Sequence, residues 1–191
     1  MTDLSYLDLK HHIADKLTIS SNQLEQVATA FAALYMDFQT DACHKVSIES
    51  VPNSCYQWVQ AKNIRSNKVL IFLHGGGYTM GSTEDHLELI AQLILQANVS
   101  VLSVDYRLCP AFQFPAPIDD AINAYKWLLD QGYRADQIGF SGISAGALLV
   151  TQSILQCQLL ALPMPKLALV LSGPINLNFN TFKEFEIVTN D

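Results

Sequence analysis

Ile138-Gly139-Phe140-Ser141 leads directly into Gly142-Ile143-Ser144-Ala145-Gly146, and a helical apolar pattern follows from about Ala145 to Leu160. A strand that turns at once into a helix puts Ser144 on a sharp bend. Gly142 and Gly146 leave room for that bend, because side chains there collide with neighbouring backbone. The bend pushes the Ser144 hydroxyl out over the sheet and points the Ala145 N–H toward the same spot. The pentapeptide alone is a weak signal. Its place at a strand-to-helix junction gives it weight.

Upstream, the continuous apolar run Val69-Leu70-Ile71-Phe72-Leu73 ends in His74-Gly75-Gly76-Gly77. Three glycines after a buried strand let the backbone turn its N–H groups toward a developing oxyanion. Such donors act where charge appears in the transition state, and losing one commonly costs about 2.7–4 kcal/mol. A phosphate loop is the competing use of such a run, but neither G-K-[ST] nor G-x-G-x-x-G occurs here. The two motifs are two parts of a serine acyl-transfer site.

The rest of the chain fits a frame around them. Val99 to Val104 reads as a strand, as does Leu167 to Leu171. Helices are expected from about Glu84 to Gln96, with Ser82 or Thr83 as cap, and across Ile118, Ala121, Ile122, Tyr125, Leu128 and Leu129, closed by Gly132. Lys45 to Val51 and Cys55 to Gln60, around Pro52-Asn53-Ser54, read as a hairpin at a sheet edge. Leu24, Val27, Ala28, Phe31, Leu34, Tyr35 and Phe38 form one helical stripe behind Ser20, Ser21 and Asn22. Strands alternating with helices imply a mostly parallel sheet covered on both faces, an α/β fold. Ligands in such sheets bind at the carboxyl ends of the strands. His74, Asp105 and Ser144 all fall at such ends.

His74-Gly75-Gly76-Gly77-Tyr78, Val104-Asp105-Tyr106-Arg107-Leu108-Cys109-Pro110, Phe114-Pro115-Ala116-Pro117-Ile118-Asp119-Asp120 and the Ser144 pentapeptide together resemble the hormone-sensitive lipase family of α/β-hydrolases. Order and spacing agree across residues 68 to 175. The resemblance implies a carboxylesterase or lipase acting on short to medium acyl esters, with no cofactor. It implies Ser144 as nucleophile and the N–H groups of Gly76, Gly77 and Ala145 as oxyanion hole. His74, Gly75, Asp105 and Arg107, with Gly142 and Gly146, would support the site's loops. It also implies that residues 1–40 are a helical cap and residues 41–191 the hydrolase core. The chain departs from the family at Ile143, where Asp is usual, and at Ala147, where Gly is usual.

The family's acid and histidine come on loops roughly a hundred residues or more beyond the serine. After Ser144 this sequence has Glu184, Glu186 and Asp191 but no histidine. The expectation is therefore a core lacking the last strands and helices. Such a chain is nearly inactive alone, because a serine hydroxyl without a base is a poor nucleophile near neutral pH. A non-catalytic small-ligand binder, or an inactive remnant, on the same scaffold is the alternative. Leu167-Ala168-Leu169-Val170-Leu171, apolar on both faces as befits a central strand, would then become an exposed edge prone to self-association. His86, in the first turn of a helix, is expected to be solvated.

Composition narrows the partners. The net charge is −7 at pH 7 and the pI is near 5, which argues against nucleic acid. No stretch approaches the roughly 20 apolar residues of a membrane span. Cys43, Cys55, Cys109 and Cys157 form no C-x-x-C pair and no metal-ligand cluster with histidine, so free thiols and no metal are expected. That cysteine usage, and an N-terminus without a signal-peptide pattern, point to the cytoplasm.

Overall fold

The protein's computed structural model describes residues 41–173. The helical stripe and cap expected within residues 1–40, and the acids after Leu171, lie outside the described residues.

The described part is a six-stranded sheet. Strands β1 (Val46–Ser50) and β2 (Tyr56–Ala61) form an antiparallel hairpin. Asn53 takes the left-handed conformation at its turn, with φ 57°. Then follow β3 (Val69–Leu73), helix α1 (Leu87–Ala97), β4 (Ser100–Val104), α2 (Ala116–Asp130), β5 (Ile138–Ile143), α3 (Ala145–Leu159) and β6 (Leu167–Leu171). The strand order is β1-β2-β4-β3-β5-β6. β4, β3, β5 and β6 run parallel, and β2 joins β4 antiparallel. The elements agree with the sequence expectations to within a few residues at their ends.

Alternation along β3 explains the two layers. Leu70 and Phe72 point to one face, where Ile90 and Ile94 of α1 join Val59 and Val101. Val69, Ile71 and Leu73 point to the other, among Ala121, Tyr125 and Leu128 of α2 and Leu149, Val150 and Cys157 of α3. All five β3 residues are buried, as a strand covered on both faces must be. Helix α1 stops at Asn98 in the left-handed conformation, with φ 52°. Gly132, at φ 89°, turns the chain after α2.

The chain leaves β3 toward β4 on one side, while β5 lies on the other. The carboxyl ends of β3 and β5 therefore flank a topological switch point, where open parallel sheets bind ligands. β6 is different. Among the described residues it pairs only with β5, and Leu167 is 50% and Val170 37% exposed.

Candidate active site

Leu73 pairs with Gly142, so His74-Gly75 and Ile143-Ser144 leave the sheet side by side. The approach is close. A Cβ placed on Gly75 would lie 3.3 Å from the Ser144 Cβ. Ser144 is exposed at the head of α3, although Gly142, Ala145, Gly146 and Ala147 around it are buried. Its backbone stands at φ 55°, ψ −119°. Such a conformation costs a residue with a side chain about 1–3 kcal/mol and persists only where the surroundings enforce it. Here the Ser144 N–H donates to Leu171 O at 3.0 Å, and Ser144 O accepts from Ala147 N at 3.1 Å. A Cβ on Gly146 would overlap the carbonyl oxygens of Leu73 and His74, and one on Gly142 would overlap that of Gly146. The bend is possible only with glycine at both places.

Planar peptides settle the direction of the next N–H groups, because a trans peptide points its N–H opposite to its C=O. Gly75 O accepts from His74 Nδ1 at 2.7 Å, so the Gly76 N–H faces the other way. Gly76 O accepts from the N–H groups of Thr79 and Met80, both at 3.1 Å, so the Gly77 N–H is fixed likewise. Gly76 and Gly77 adopt φ 121° and 62°, values that favour glycine. Among the described residues, the N–H groups of Gly76, Gly77 and Ala145 have no acceptor. Unbonded backbone donors near an exposed serine are the kind of group that can hold an anionic oxygen.

His74 is fully buried and does not face solvent. A carbonyl only accepts, so the contact with Gly75 O puts the proton on Nδ1. Nε2 is a bare lone pair without a hydrogen-bond partner. The ring stacks on Tyr106 at 4.1 Å, and Tyr106 OH donates to His74 O at 2.8 Å. Burial pushes the His74 pKa down to about 4, against the smaller opposing pull of its bond to Gly75 O, so the ring is neutral near pH 7.

His86 corrects the sequence expectation. It is 1% exposed, not solvated. Its Nδ1–H donates to Ser82 O at 3.1 Å, and its Nε2 accepts from the Gly75 N–H at 3.3 Å. The reason was legible: His86, Ile90 and Ile94 recur every four residues and share one helix face. That face packs on Leu70 and Phe72.

Asp105, just past β4, accepts from Thr83 N at 2.7 Å and from Thr83 Oγ1 at 2.8 Å. Thr83 has one hydroxyl proton, which goes to the carboxylate, so Ser103 donates its own to Thr83 Oγ1 at 2.8 Å. Thr83 stands at the start of the 3-10 turn Glu84–His86, and Ser82 Oγ accepts from Asp85 N at 3.2 Å. Arg107 grips Asp120 through its backbone N–H, Nε and Nη2 at 2.8 to 3.0 Å, and reaches Ala116 O at 3.3 Å. This ties the segment after β4 to the first turns of α2. Ser103, Thr83 and Asp120 are supports that motif reading passed over.

Ile143, which replaces the family's Asp, directs its side chain to the apolar cluster of Leu70 and Phe72. Among the described residues no three histidine, cysteine or acidic side chains gather where a metal ion would bind. Cys55, Cys109 and Cys157 form no disulfide.

The fold has counterparts among solved structures. A solved esterase from the bacterial hormone-sensitive lipase family superposes with a TM-score of 0.76 at 27% identity, covering 91% of this chain and 61% of that one. A hormone-sensitive lipase from a metagenome library gives 0.72 at 32% identity, covering 86% and 55%. The family profile described as the alpha/beta hydrolase fold matches residues 70–189. The chain belongs to the α/β-hydrolases, in the hormone-sensitive lipase group. Among curated relatives of this hydrolase, an acetyl-hydrolase of Streptomyces hygroscopicus is 33% identical over 125 residues, 65% of this chain and 42% of that protein. An ethyl acetate hydrolase of Pseudomonas putida is 37% identical over 106 residues, 53% and 33% of the two chains. Each match thus spans less than half of the relative's length.

Proposed function

We propose that this α/β-hydrolase provides the nucleophile and oxyanion hole of a carboxylic-ester hydrolase for short to medium acyl esters. Ser144 attacks the ester carbonyl, and the N–H groups of Gly76, Gly77 and Ala145 hold the resulting oxyanion. The observation that carries this reading is the exposed Ser144, at φ 55°, against a glycine loop whose N–H groups at Gly76 and Gly77 are unbonded among the described residues. The names of the relatives, an acetyl-hydrolase and an ethyl acetate hydrolase, agree with it.

The 191-residue chain alone turns esters over slowly. His74 and His86 are buried with their Nδ1 protons on backbone carbonyls, and His86 Nε2 is occupied by Gly75. His44 is exposed in the 3-10 turn before β1. No described histidine stands ready as the base that would make the Ser144 hydroxyl a nucleophile. The same observation favours the second reading, a binder of small ester-like ligands. The cysteine usage, with no C-x-x-C pair, favours a reducing compartment, the cytoplasm. The exposed β6 edge favours self-association.

The test is hydrolysis of p-nitrophenyl butyrate by the chain and by Ser144→Ala. Negligible turnover is expected from both. Robust turnover that disappears in Ser144→Ala refutes the claim of near-inactivity and directs the search for a base to His11 and His12. Ligand-dependent stabilisation without turnover selects the binder.

A further inference from the structure

We propose that His86 is a positioning residue for the oxyanion loop, held in place by Asp105 through Thr83. The inference rests on the reading of Gly76 and Gly77 as oxyanion donors. The peptide between His74 and Gly75 is pinned at both ends. Its carbonyl takes the Tyr106 hydroxyl at 2.8 Å, and its N–H goes to His86 Nε2 at 3.3 Å. Without the imidazole, Gly75, which is itself buried, keeps a buried N–H with no acceptor. A buried unsatisfied donor of that kind is costly and relaxes by turning the peptide. Rotation there moves the two following peptides, which carry the Gly76 and Gly77 N–H groups.

The imidazole is set for this task at its other nitrogen. Ser82 O takes the Nδ1 proton, which leaves Nε2 as the acceptor. The turn that carries His86 is bound to the end of β4, because Asp105 accepts both the N–H and the hydroxyl of Thr83, and Ser103 donates to that hydroxyl. The device thus links Asp105, in the segment after β4, to Gly75 in the loop after β3, through two residues of the turn before α1. It also carries a proton sensitivity. On His86 protonation, Nε2 gains a hydrogen and confronts the Gly75 N–H donor to donor. The titratable groups facing the ring are Asp85 on its own turn, Asp105 past β4, and His74 past β3, whose ring centroid is 6.0 Å away. Burial lowers the His86 pKa below its ordinary value, outweighing the opposing pull of the Ser82 bond and the two acids.

Two measurements on the full chain decide the matter. In the first, 15N spectra report the His86 tautomer and the Gly75 amide in wild type, His86→Gln and His86→Leu. The Nδ1–H tautomer is expected. The wild-type Gly75 amide shifts as pH falls below 6.5, while His86→Gln, whose amide oxygen accepts but does not titrate, holds its Gly75 shift over the same range. An Nε2–H tautomer, or a Gly75 amide indifferent to His86→Leu, overturns the proposal. In the second, a fluorophosphonate labels Ser144, since its adduct places an oxygen in the oxyanion hole. His86→Leu is expected to label at least about tenfold more slowly, a fraction of the effect of losing one oxyanion donor outright, and His86→Gln to recover most of the rate. Equal rates in a folded His86→Leu protein overturn the positioning role. If no form labels, the nucleophile reading fails, and the spectra alone decide whether His86 fixes the loop.

Discussion

The carboxyl ends of β3 and β5 and the β6 edge lie on one sheet but are finished to different degrees. At the first, the polar side chains of Tyr106, Asp105 and His86 are bonded, while the N–H groups of Gly76, Gly77 and Ala145 and His74 Nε2 have no partner among the described residues. His74, His86, Asp105 and Tyr106 bond to backbone or to Thr83, and at Gly76, Gly142 and Gly146 a Cβ would overlap neighbouring backbone. At the second, Leu167 and Val170 of β6 stand exposed, and so do Leu155, Leu159 and Leu160 at the end of α3. One region is specified almost atom by atom. The other presents apolar surface with no described partner. The difference sets expectations: substitutions at the site act by steric and hydrogen-bond failure, and those at the edge are expected to act through association.

The comparison breaks most directly at Gly146. A side chain there overlaps the carbonyls of Leu73 and His74, which are backbone and cannot move aside. Gly146→Val is expected to cost about 3 kcal/mol or more, the upper range for overpacking, seen as a lower urea midpoint or as loss of folded protein. A midpoint unchanged from wild type contradicts the close approach of α3 to β3.

Acid sharpens it next. His74 has a folded-state pKa near 4, against an ordinary value of 6.5, because burial disfavours its charged form. Below pH 6.5 the unfolded chain takes up a proton that the folded one refuses. Stability is therefore full above about pH 6.5 and is lost as pH falls toward 4, by about 3 kcal/mol from His74 if the native ring stays neutral. His86 acts in the same direction. Urea midpoints from pH 7.5 to 4.5 in wild type and His74→Asn test this. An equal slope in the two proteins assigns the acid sensitivity elsewhere.

A smaller effect is expected at Arg107. Its pair with Asp120 is geometrically good, but the Arg107 side chain is 40% exposed, so solvent screens it. Arg107→Lys loses the two-pronged grip and is expected to lower the urea midpoint only slightly. Smallest in stability is the edge. Leu167→Lys with Val170→Lys is expected to change the midpoint by less than about 0.5 kcal/mol, as ordinary surface changes do, while reducing self-association in sizing and light scattering. A wild type that stays monomeric at high concentration removes the contrast.

Much of this was legible in the residues. The run Val69 to Leu73, its four glycine-rich followers and the Ser144 pentapeptide announce a parallel sheet with a site at its carboxyl ends, because those signals are local and periodic. The hydrogen-bond partners were not. Thr83 with Asp105, and Arg107 with Asp120, join residues 22 and 13 apart, and pairing of that kind depends on how loops meet in space. His86 was misread for a different reason. Its polarity outweighed its four-residue spacing to Ile90 and Ile94, although the spacing was the better guide. The edge position of β6 has no signal in its own residues, which are apolar throughout.

The central claim is that Ser144 is a nucleophile beside a preformed oxyanion loop. Intact-mass and peptide mapping after long exposure to a fluorophosphonate tests it most directly, with wild type and Ser144→Ala side by side. The expected result is one slow adduct, mapped to Ser144 and absent from Ser144→Ala. No adduct on a folded wild-type chain, or labelling that persists in Ser144→Ala, contradicts it.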